Sequence, residues 1–535
     1  MSDDLTLAFH GAAHTVTGSC MEFRHGDSRI LVDCGLFQGS RSLEVLNRAP
    51  FAFDAARIDA VILTHAHIDH CGLLPRLVAE GFSGDIWCTP ATAELLEFML
   101  RDAGRIQEGD AMRRNRRKDR ADMPPIAPIY TEQDAIKAWQ QGRPVPLENW
   151  FEPAPGFRAR LWNAGHILGS ASVELQAGDT HLLCSGDLGP EYKAFHPDPE
   201  GPSGFDHVIC ESTYGDRPRD HQTIEARRTA LAAEVKLAMQ RGGNLIIPVF
   251  ALERTQELLL DLGVLIETGQ IDPAQVFIDS PLATRATSIF ARHSASLEDT
   301  GGKNVFANPA FHFVEDSLES IRLNSVSGAI ILAASGMCEA GRIRHHLRHN
   351  LHKREATILF VGFQAEGTLG RVILEGAKRV RIWGEDIVVR AQVRRMDTYS
   401  AHADQQDLLA WVKARRPIHG TLFLTHGEEH ALQSLQQLAQ AEAAGTSIRT
   451  PEMGDTYRLA GRAPAIRVGT GDPFRRDAVG RDWQNYYADF AANLKQELTQ
   501  IGDGTARERA VAEMRGVLES YKQAHAKRAM RTTTG

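Results

Sequence analysis

The sequence has none of the features of a disulfide-stabilised or membrane-spanning protein. Its seven cysteines are odd in number and scattered, and no two form a Cys-x-x-Cys pair. This excludes a disulfide framework and a cysteine zinc site, and it favours a reducing compartment. No uninterrupted apolar run is long enough to cross a bilayer, and the N-terminal MSDDLTLAFHG lacks the apolar core of a signal peptide. We therefore expect a cytoplasmic protein with no membrane partner.

The chain also lacks an excess of positive charge, because 60 Lys and Arg face 68 Asp and Glu. This argues against a general nucleic-acid coat but leaves room for a local basic groove. Two stretches are candidates, RRNRRKDR (113–120) and RIRHHLRHNLHKR (342–354). A charge run is usually a solvated face, so nucleic-acid contact and plain solvation both stay open for each. Residues 103–128 are interpreted as a surface excursion, a short helix or loop.

With 535 residues, the chain is expected to form two or three compact units. Short apolar runs such as RILVDCG (29–35), HLLCSGD (181–187) and TLFLTHG (421–427) alternate with helical patterns, which is typical of the α/β class. Many runs end in a polar residue or glycine, and ligands of open α/β sheets bind beyond the carboxyl ends of strands. Strand signals end near residue 464, after which two amphipathic helices are predicted, 482–501 and 505–530.

The strongest chemical signal is His65-Ala-His67-Ile-Asp69-His70, directly after the strand-like VILT. Imidazole nitrogens and carboxylate oxygens are the ligands of catalytic zinc, and a tight turn can direct four of them into one cavity. Any single histidine here is more simply a surface residue. The complete six-residue pattern would arise by chance in roughly one chain in several hundred of this composition. The segment therefore predicts a metal site.

Further candidate ligands follow other strand-like stretches: His166 in AGHILGS, Asp187 in HLLCSGD and His426 in TLFLTHG. A lone aspartate at such a place is more often a turn residue or helix cap. Taken in order, however, Asp33, the segment 65–70, His166 and Asp187 resemble the successive motifs of the metallo-β-lactamase superfamily.

After Asp187 the resemblance narrows to the β-CASP nucleases. Glu211 in CESTYG, His402 in YSAHAD and His426 in LTHGE match the added motifs of that family, and the similarity covers roughly residues 5–458. It implies an α/β fold, an αββα metallo-β-lactamase sandwich with an inserted α/β β-CASP domain. The predicted segments are the first part of the sandwich (1–205), the insert (206–395), the returning part (396–460) and a helical C-terminal extension (461–535).

The resemblance also implies a role for each candidate residue. The implied zinc ligands are His65, His67 and His166 for one ion and Asp69, His70 and His426 for the other, with Asp187 bridging both, Asp33 orienting a ligand, and Asp69 also counted as catalytic. His402 would be the general acid that protonates the leaving 3′ oxygen, held by Glu211. Ser335 and Gly336 resemble the phosphate-contacting loop of the family. Simpler interpretations stay open: Glu211 as a turn cap, His402 as a buried satisfied histidine, and Ser335-Gly336 as a plain turn.

Elementary chemistry leads to the same function. Two divalent ions about 3.5–4 Å apart supply hydroxide near neutral pH and neutralise charge on a phosphodiester. The leaving alkoxide needs a proton donor with a pKa of about 7, and histidine is the natural choice. A neighbouring glutamate holds the required tautomer and raises the imidazole pKa. We predict a zinc-dependent ribonuclease with RNA as its partner; the same donors also accept manganese.

The sequence leaves three alternative functions to weigh, and it departs from the family pattern at two places. A DNA nuclease is disfavoured because the DNA-repair branch typically lacks a histidine at position 426, and a thioesterase-like hydrolase because residues 206–395 would roof the site. A non-catalytic scaffold is disfavoured because every expected ligand is present. Leu252-Glu253 replace a small residue and a glycine often seen in this loop, which puts its shape in doubt. The C-terminal extension has two alternative roles, forming a homodimer or packing on the core.

Overall fold

The computed structural model of the protein describes residues 5–39, 41–116, 123–191, 193–219, 223–272, 275–362, 364, 368–396, 398–442, 445–478, 494, 498 and 500–517. The chain divides into two units, Met1–Gly480 and Arg481–Gly535. In the described part of the chain, no helix has both the length and the apolar character needed to cross a membrane.

The chain up to residue 211 alternates strands with helices. Its strands are β1 (Leu5–Phe9), β2 (Met21–His25), β3 (Ser28–Val32), β4 (Ala60–Ile62), β5 (Asp85–Cys88), β6 (Gly142–Pro144), β7 (Phe157–Asn163), β8 (Ala171–Ala177), β9 (Thr180–Cys184) and β10 (His207–Glu211). Its helices are α1 (Arg41–Leu46), α2 (Ile68–Cys71), α3 (Leu74–Ala79), α4 (Pro90–Asn115) and α5 (Glu132–Gln140). Thr89 and Thr131 cap α4 and α5 by accepting hydrogen bonds from backbone N–H groups of the first turn.

The middle of the chain contains eight strands and six helices in its described residues. They are α6 (Ile224–Gln240), β11 (Leu245–Pro248), α7 (Arg254–Glu267), β12 (Val276–Ile278), α8 (Pro281–Arg292), β13 (Phe311–Phe313), α9 (Ser317–Arg322), β14 (Ile330–Ala333), α10 (Ile343–Asn350), β15 (Thr357–Phe360), α11 (Leu369–Leu374), β16 (Arg379–Ile382), β17 (Glu385–Val388) and β18 (Gln392–Arg395). The chain then continues through α12 (Gln405–Ala414), β19 (Thr421–Thr425), α13 (Glu429–Glu442), β20 (Ser447–Arg449), β21 (Thr456–Leu459), β22 (Ile466–Gly469) and α14 (Pro473–Ala478).

Two sheets pack face to face around a shared apolar core. The first has the strand order β22-β21-β1-β2-β3-β4-β5-β6 and the second β20-β19-β10-β9-β8-β7. Phe9 and Phe23 of the first sheet lie in one cluster with Leu161 and Phe423 of the second. Helices α3, α4 and α5 cover the outer face of the first sheet, and α12 and α13 cover the outer face of the second. The predicted αββα sandwich is confirmed.

The inserted segment forms its own three-layer α/β unit. Its sheet has the order β13-β12-β14-β11-β15-β18, and every neighbouring pair in it is parallel. Ile246 and Ile331 pack on the side of α10, whereas Ile247 and Leu332 pack on the side of α6, α7 and α8. Burial on both faces explains why these strands read as continuous apolar runs. The α/β class predicted for the insert is confirmed.

After the insert, the chain returns to both sheets of the sandwich. Strand β19 pairs in parallel with β10, and β21 pairs antiparallel with β1. The expectation that strand signals end near residue 464 is wrong, because Ile466–Gly469 pairs with β21. Ile466 and Val468 are 52% and 55% exposed on this edge strand, so it lacks the alternation of buried and exposed residues that marks a strand in sequence. The predicted segment boundaries at 205, 395 and 460 stay predictions.

The basic excursion is also different from its prediction. Residues 103–115 are not a short helix or loop but the second half of α4, which spans 26 residues. A side chain at Gly104 would lie 2.8 Å from the Cα of Glu132, so glycine permits the close approach of α5. Arg101 and Arg105 then pair with the Glu132 carboxylate at 3.0 and 2.7 Å. These contacts hold the start of this polar half against α5.

In the second unit, residues 504–517 are helical, in agreement with the start of the predicted helix 505–530. The rest of that helix, and nearly all of the predicted helix 482–501, lie outside the described residues.

A buried histidine in the second sheet gives the fold a pH dependence. His207 is fully buried, its Nδ1 accepts a hydrogen bond from the Thr421 backbone N–H at 3.2 Å, and burial lowers its pKa to about 4. The unfolded chain titrates near the ordinary value of about 6.5, so lowering the pH from 7 to 5 should remove about 2 kcal/mol of stability.

We expect His207→Asn, whose side-chain oxygen can replace Nδ1 as acceptor, to lose most of this dependence of stability on pH. Urea unfolding midpoints of both proteins at pH 7 and pH 5 measure it. Equal slopes in wild type and variant would show that His207 is not the source.

Candidate metal centre

The segment 65–70 follows strand β4 and forms most of the short helix α2, with His67 at the helix N-cap. The backbone of this helix packs against the end of β3. Cys34 N–H donates to the His70 carbonyl at 2.8 Å, and a Cβ on Gly35 would lie 1.6 Å from the Asp69 carbonyl oxygen. Only glycine allows this approach, which holds the helix and its ligand side chains against the sheet.

Three further site residues meet at one edge of the second sheet. Strands β9, β10 and β19 run in parallel. Asp187 follows β9, Glu211 is the last residue of β10, and His426 follows β19 with a φ of 50°. His166 lies in the turn between β7 and β8. Parallel pairing therefore brings residues 239 positions apart to one edge, as expected for ligands of α/β sheets.

His65, His67 and His166 converge on Asp187 to form a first pocket. His67 Nδ1 lies 3.1 Å from His65 Nε2 and 3.2 Å from His166 Nε2. Asp187 Oδ2 lies 3.7 Å from His65 Nε2 and 3.6 Å from His166 Nε2. These four side chains form a group that could hold a metal ion.

Asp69, His70 and His426 form a second pocket beside the other oxygen of Asp187. His70 Nε2 lies 3.2 Å from both His426 Nε2 and Asp187 Oδ1. His426 Nε2 lies 3.6 Å from Asp187 Oδ1 and 3.8 Å from Asp69 Oδ2. Asp187 thus faces one pocket with each carboxylate oxygen.

The spacing of these atoms fits zinc. Tetrahedral zinc with bonds of about 2.0–2.1 Å separates its ligand atoms by about 3.3–3.4 Å. The atom pairs of the first pocket, at 3.1–3.7 Å, bracket that value. In addition, Asp187 Oδ1 is buried and meets no well-aligned hydrogen-bond donor among the described residues. A buried carboxylate oxygen without a donor is costly unless a cation occupies the neighbouring space. The donor set and this oxygen both fit a metal centre.

The outer nitrogens of the imidazoles are fixed by protein partners. His70 Nδ1 lies 2.7 Å from Asp33 Oδ2, and His166 Nδ1 lies 2.8 Å from the Ala401 carbonyl oxygen. An N–H that donates outward leaves the Nε2 lone pair directed at the pocket. Asp33 is fully buried and also accepts hydrogen bonds from Ser19 Oγ and from Thr64 N–H. The orienting role of Asp33 stays a prediction.

Two threonines contribute to this outer layer and were not predicted from sequence. Thr64 Oγ1 lies 3.1 Å from His65 Nδ1, and Thr213 Oγ1 lies 3.1 Å from His426 Nδ1. The position of Thr64 between a buried strand and the first ligand was a usable signal. Thr213 had none, because its partner lies 213 residues away.

The electrostatics of the first pocket favour the binding of a metal ion. Burial, reinforced by His70, lowers the pKa of His65 well below its usual range, and burial with His402 does the same for His166. Burial alone would raise the pKa of Asp187, but the charges of His426 and His70 outweigh it and hold that pKa well below the ordinary value. The first pocket therefore presents neutral imidazoles beside a carboxylate, which is the protonation state that binds a metal.

His402 lies at the mouth of the first pocket. Its Nδ1 is 3.3 Å from Glu211 Oε1 and 3.8 Å from Asp187 Oδ2, and its side chain is 22% exposed. Glu211 also accepts hydrogen bonds from the backbone N–H groups of Leu188 and Thr213. The carboxylate thus caps the turn after β10, as the simpler interpretation expected, and contacts His402 as well.

The structure places Ser335 and Gly336 at the carboxyl end of β14, in the insert. Ser335 Oγ donates to the Ala340 carbonyl at 3.3 Å, and the Gly336 carbonyl accepts from Gln364 Nε2 at 2.9 Å. These hydrogen bonds stay within the insert and do not join the turn to the metal centre. Phosphate contact by Ser335 and Gly336 stays a prediction.

The basic stretch 342–354 is partly used inside the insert. Arg342 Nη1 and His346 Nε2 both lie 2.6 Å from the buried Asp279 carboxylate, and Arg348 pairs with Glu385 at 2.8 Å. In the other stretch, residues 117–120 lie outside the described residues. These contacts do not bring the described stretch 342–354 to the metal centre.

Comparisons with known proteins agree with this geometry. Three family models match the chain: the metallo-beta-lactamase superfamily over residues 15–228, the Beta-Casp domain over 255–373, and the Zn-dependent metallo-hydrolase RNA specificity domain over 386–451.

Among curated proteins, a ribonuclease of Thermus thermophilus is 37% identical over 436 residues, covering 80% of this chain and 94% of that protein. An RNase J-like protein of Methanocaldococcus jannaschii is 30% identical, covering 79% and 93%. The transcription termination factor FttA of Methanosarcina mazei is 31% identical, covering 79% and 67%. A crystal structure of a protein of unknown function from Enterococcus faecalis has the same fold, with a TM-score of 0.50, 14% identity, and coverage of 85% of this chain and 100% of that one.

Proposed function

The chain belongs to the β-CASP family of the metallo-β-lactamase superfamily, and from this membership we propose that it is a zinc-dependent ribonuclease with two metal ions. Membership makes it a metal-dependent hydrolase. The choice of RNA is supported by the match of residues 386–451 to an RNA specificity domain and by the ribonuclease among its relatives.

One observation carries the proposal: Asp187 lies between two donor sets, with a separate histidine at their edge. Three imidazoles face one carboxylate oxygen, and a second set of two imidazoles and Asp69 faces the other. In the proposed roles, one zinc would be held by His65, His67 and His166 and the second by Asp69, His70 and His426, and Asp187 would offer one oxygen to each. Bound there, the ions would supply the nucleophile and neutralise charge on the phosphoryl oxygens.

The remaining chemistry falls to His402 and Glu211. The partly exposed position of His402 at the pocket mouth suits a group that donates a proton to the departing 3′ oxygen. Glu211, 3.3 Å from His402 Nδ1, would hold the ring with Nε2 directed outward. Cleavage in this sense leaves a 3′-hydroxyl and a 5′-phosphate.

RNA is favoured over DNA by the presence of His426 inside the second pocket, 3.2 Å from His70. The DNA-repair branch of the family typically lacks a histidine at this position. The loops at residues 251–252 of the insert and 167–168 of the sandwich share one apolar cluster, so the insert packs directly beside the metal centre. This position of the insert disfavours a small ester or thioester as the substrate.

The proposal predicts cleavage of single-stranded RNA by the zinc-loaded chain. We expect 5′-labelled and 3′-labelled RNA of one sequence to give products ending in 3′-hydroxyl and 5′-phosphate, whereas the matched DNA oligonucleotide is cut at least about 100-fold more slowly. The product ladders from the two labels distinguish internal from terminal cleavage. Equal turnover of DNA and RNA, or no cleavage by a chain carrying two zinc ions, would contradict the proposal.

Two further assignments are part of the proposal. The seven cysteines are all free and buried, in keeping with a reducing, cytoplasmic environment. The other is the role of the C-terminal extension, which forms a homodimer or packs on the core, and light scattering of the full chain distinguishes the two.

A further inference from the structure

Glu253 occupies an unusual position at the start of helix α7 in the insert. Its φ is 71°, a left-handed conformation that glycine adopts freely and other residues adopt rarely. The residue is nevertheless 1% exposed. A charged residue that is both strained and buried persists only where its surroundings require it.

The carboxylate of Glu253 reaches out of the insert into the metallo-β-lactamase sandwich. Its Oε1 lies 2.9 Å from Lys193 Nζ and 2.8 Å from His196 Nε2. Its Oε2 accepts a hydrogen bond from the Leu168 backbone N–H at 3.2 Å. The Lys193 and Glu253 side chains are each 2% exposed, so this is a buried ion pair between the two parts of the chain.

The same lysine contacts the backbone of a predicted metal ligand. Lys193 Nζ donates a hydrogen bond to the carbonyl oxygen of His166, whose Nε2 lies in the first pocket, 3.2 Å from His67 Nδ1. Leu168 is two residues further along the same turn. Glu253 therefore holds the turn that carries His166 at two points, once through Lys193 and once directly.

Stability alone does not explain this arrangement. Transferring a lysine and a glutamate from water to a buried site costs several kcal/mol per ion, and well-packed neutral residues often serve as well. The buried ion pair and the unfavourable backbone conformation of Glu253 instead both lie beside the turn that carries a predicted metal ligand.

We infer that Glu253 is a positioning residue, through which the insert fixes the turn of His166 and sets the metal affinity of the first pocket. The inference rests on the metal ligands of the proposed function. Because the insert lies on one side of the ion pair and the ligand on the other, a shift of the insert is transmitted to the first pocket through this pair.

The test is zinc titration of the full-length apo protein against a competing chelator, for wild type and Glu253→Gln. We expect zinc affinity of the first pocket to fall about 10- to 100-fold, the range for residues that orient ligands, with the second zinc still bound. At limiting zinc, kcat for RNA cleavage should fall in parallel while KM changes less than about twofold.

Glu257→Gln is the matched control. Glu257 is as buried as Glu253 and lies on the same helix, but its ion pairs run to Arg227 and Arg254 within the insert. This variant should lose stability and keep the zinc affinity of wild type. Equal loss of zinc affinity in both variants, or no loss in either, would overturn the inference.

The double variant Lys193→Met/Glu253→Gln separates positioning from folding. It removes the unpaired buried charge, so the thermal stability of the apo protein should return toward wild type. Methionine cannot donate to the His166 carbonyl, so zinc affinity should stay low. Recovery of both properties would refute the positioning role. Absence of RNA cleavage by wild type would count against the proposed function alone, since the zinc titration does not depend on it.

Discussion

His402→Ala is expected to lower the rate of RNA cleavage by about 10²- to 10⁴-fold while two zinc ions remain bound per chain. The imidazole lies at the mouth of the first pocket, 3.3 Å from Glu211 and 22% exposed. A proton donor there assists departure of the 3′ oxygen without being needed to hold the ions. Single-turnover cleavage, with zinc measured by mass spectrometry on the same samples, checks both parts.

The leaving group provides a sharper form of this test. An RNA with sulfur in place of the bridging 3′ oxygen expels a thiolate, which needs no protonation at neutral pH. We expect His402→Ala to cleave this substrate at nearly the wild-type rate. His181→Ala is the control, because His181 pairs with Glu174 on the second sheet and should leave both rates unchanged.

Loss of zinc in His402→Ala would give a different result. Asp187, Glu211 and His402 also form a group whose donor atoms could hold an ion. If the variant lost one zinc, His402 would be a ligand and not an acid, and the proposed division of roles would be wrong.

Most residues of the candidate site could be predicted, because they form recognisable patterns in the sequence. His65, His67, Asp69 and His70 are nearly contiguous, and the segment follows a buried strand. Asp187 and His426 each end an apolar run, and parallel pairing of β9, β10 and β19 must bring such ends to one edge. The ligand set thus follows from local patterns combined with one rule of sheet topology.

The surroundings of the site could not be predicted in this way. The contact between Glu253 and Leu168 joins residues 85 positions apart, and His14 meets Glu429 across 415 positions. Neither pairing has a periodic or spacing signal. The first depends on how the insert packs on the sandwich, and the second on how the returning segment packs on the first part of the sandwich. The sequence showed only that Glu253 departs from the family pattern. The structure shows that its carboxylate contacts Lys193, His196 and the Leu168 backbone N–H.

The predictions for strand β22 and for the second half of helix α4 were wrong for a similar reason. Strand β22 is exposed on an edge, so pairing with β21 defines it and hydrophobic alternation does not. The second half of α4 is polar, and it packs on α5 where Gly104 approaches Glu132 and Arg105 pairs with the Glu132 carboxylate. Elements stabilised by a partner distant in sequence are the ones that local patterns miss.

Asp187→Asn should have the largest effect of any single substitution, because one carboxylate serves both pockets. Asp187 Oδ2 lies 3.6 Å from His166 Nε2, and Oδ1 lies 3.2 Å from His70 Nε2. A neutral amide offers one oxygen and no charge to offset two divalent ions. We expect bound zinc to fall below one per chain and cleavage to fall at least about a thousandfold, since the ions contribute several kcal/mol.

Asp279→Asn is the matched control for that substitution. Asp279 is equally buried, but it pairs with Arg342 and His346 inside the insert, so its loss should cost stability and leave zinc content near two. Comparing zinc content and cleavage of the two variants separates the loss of a shared ligand from the loss of a buried charge. An Asp187→Asn protein that kept both ions would mean that each pocket is complete on its own side, and that the bridge is not what holds the two metals together.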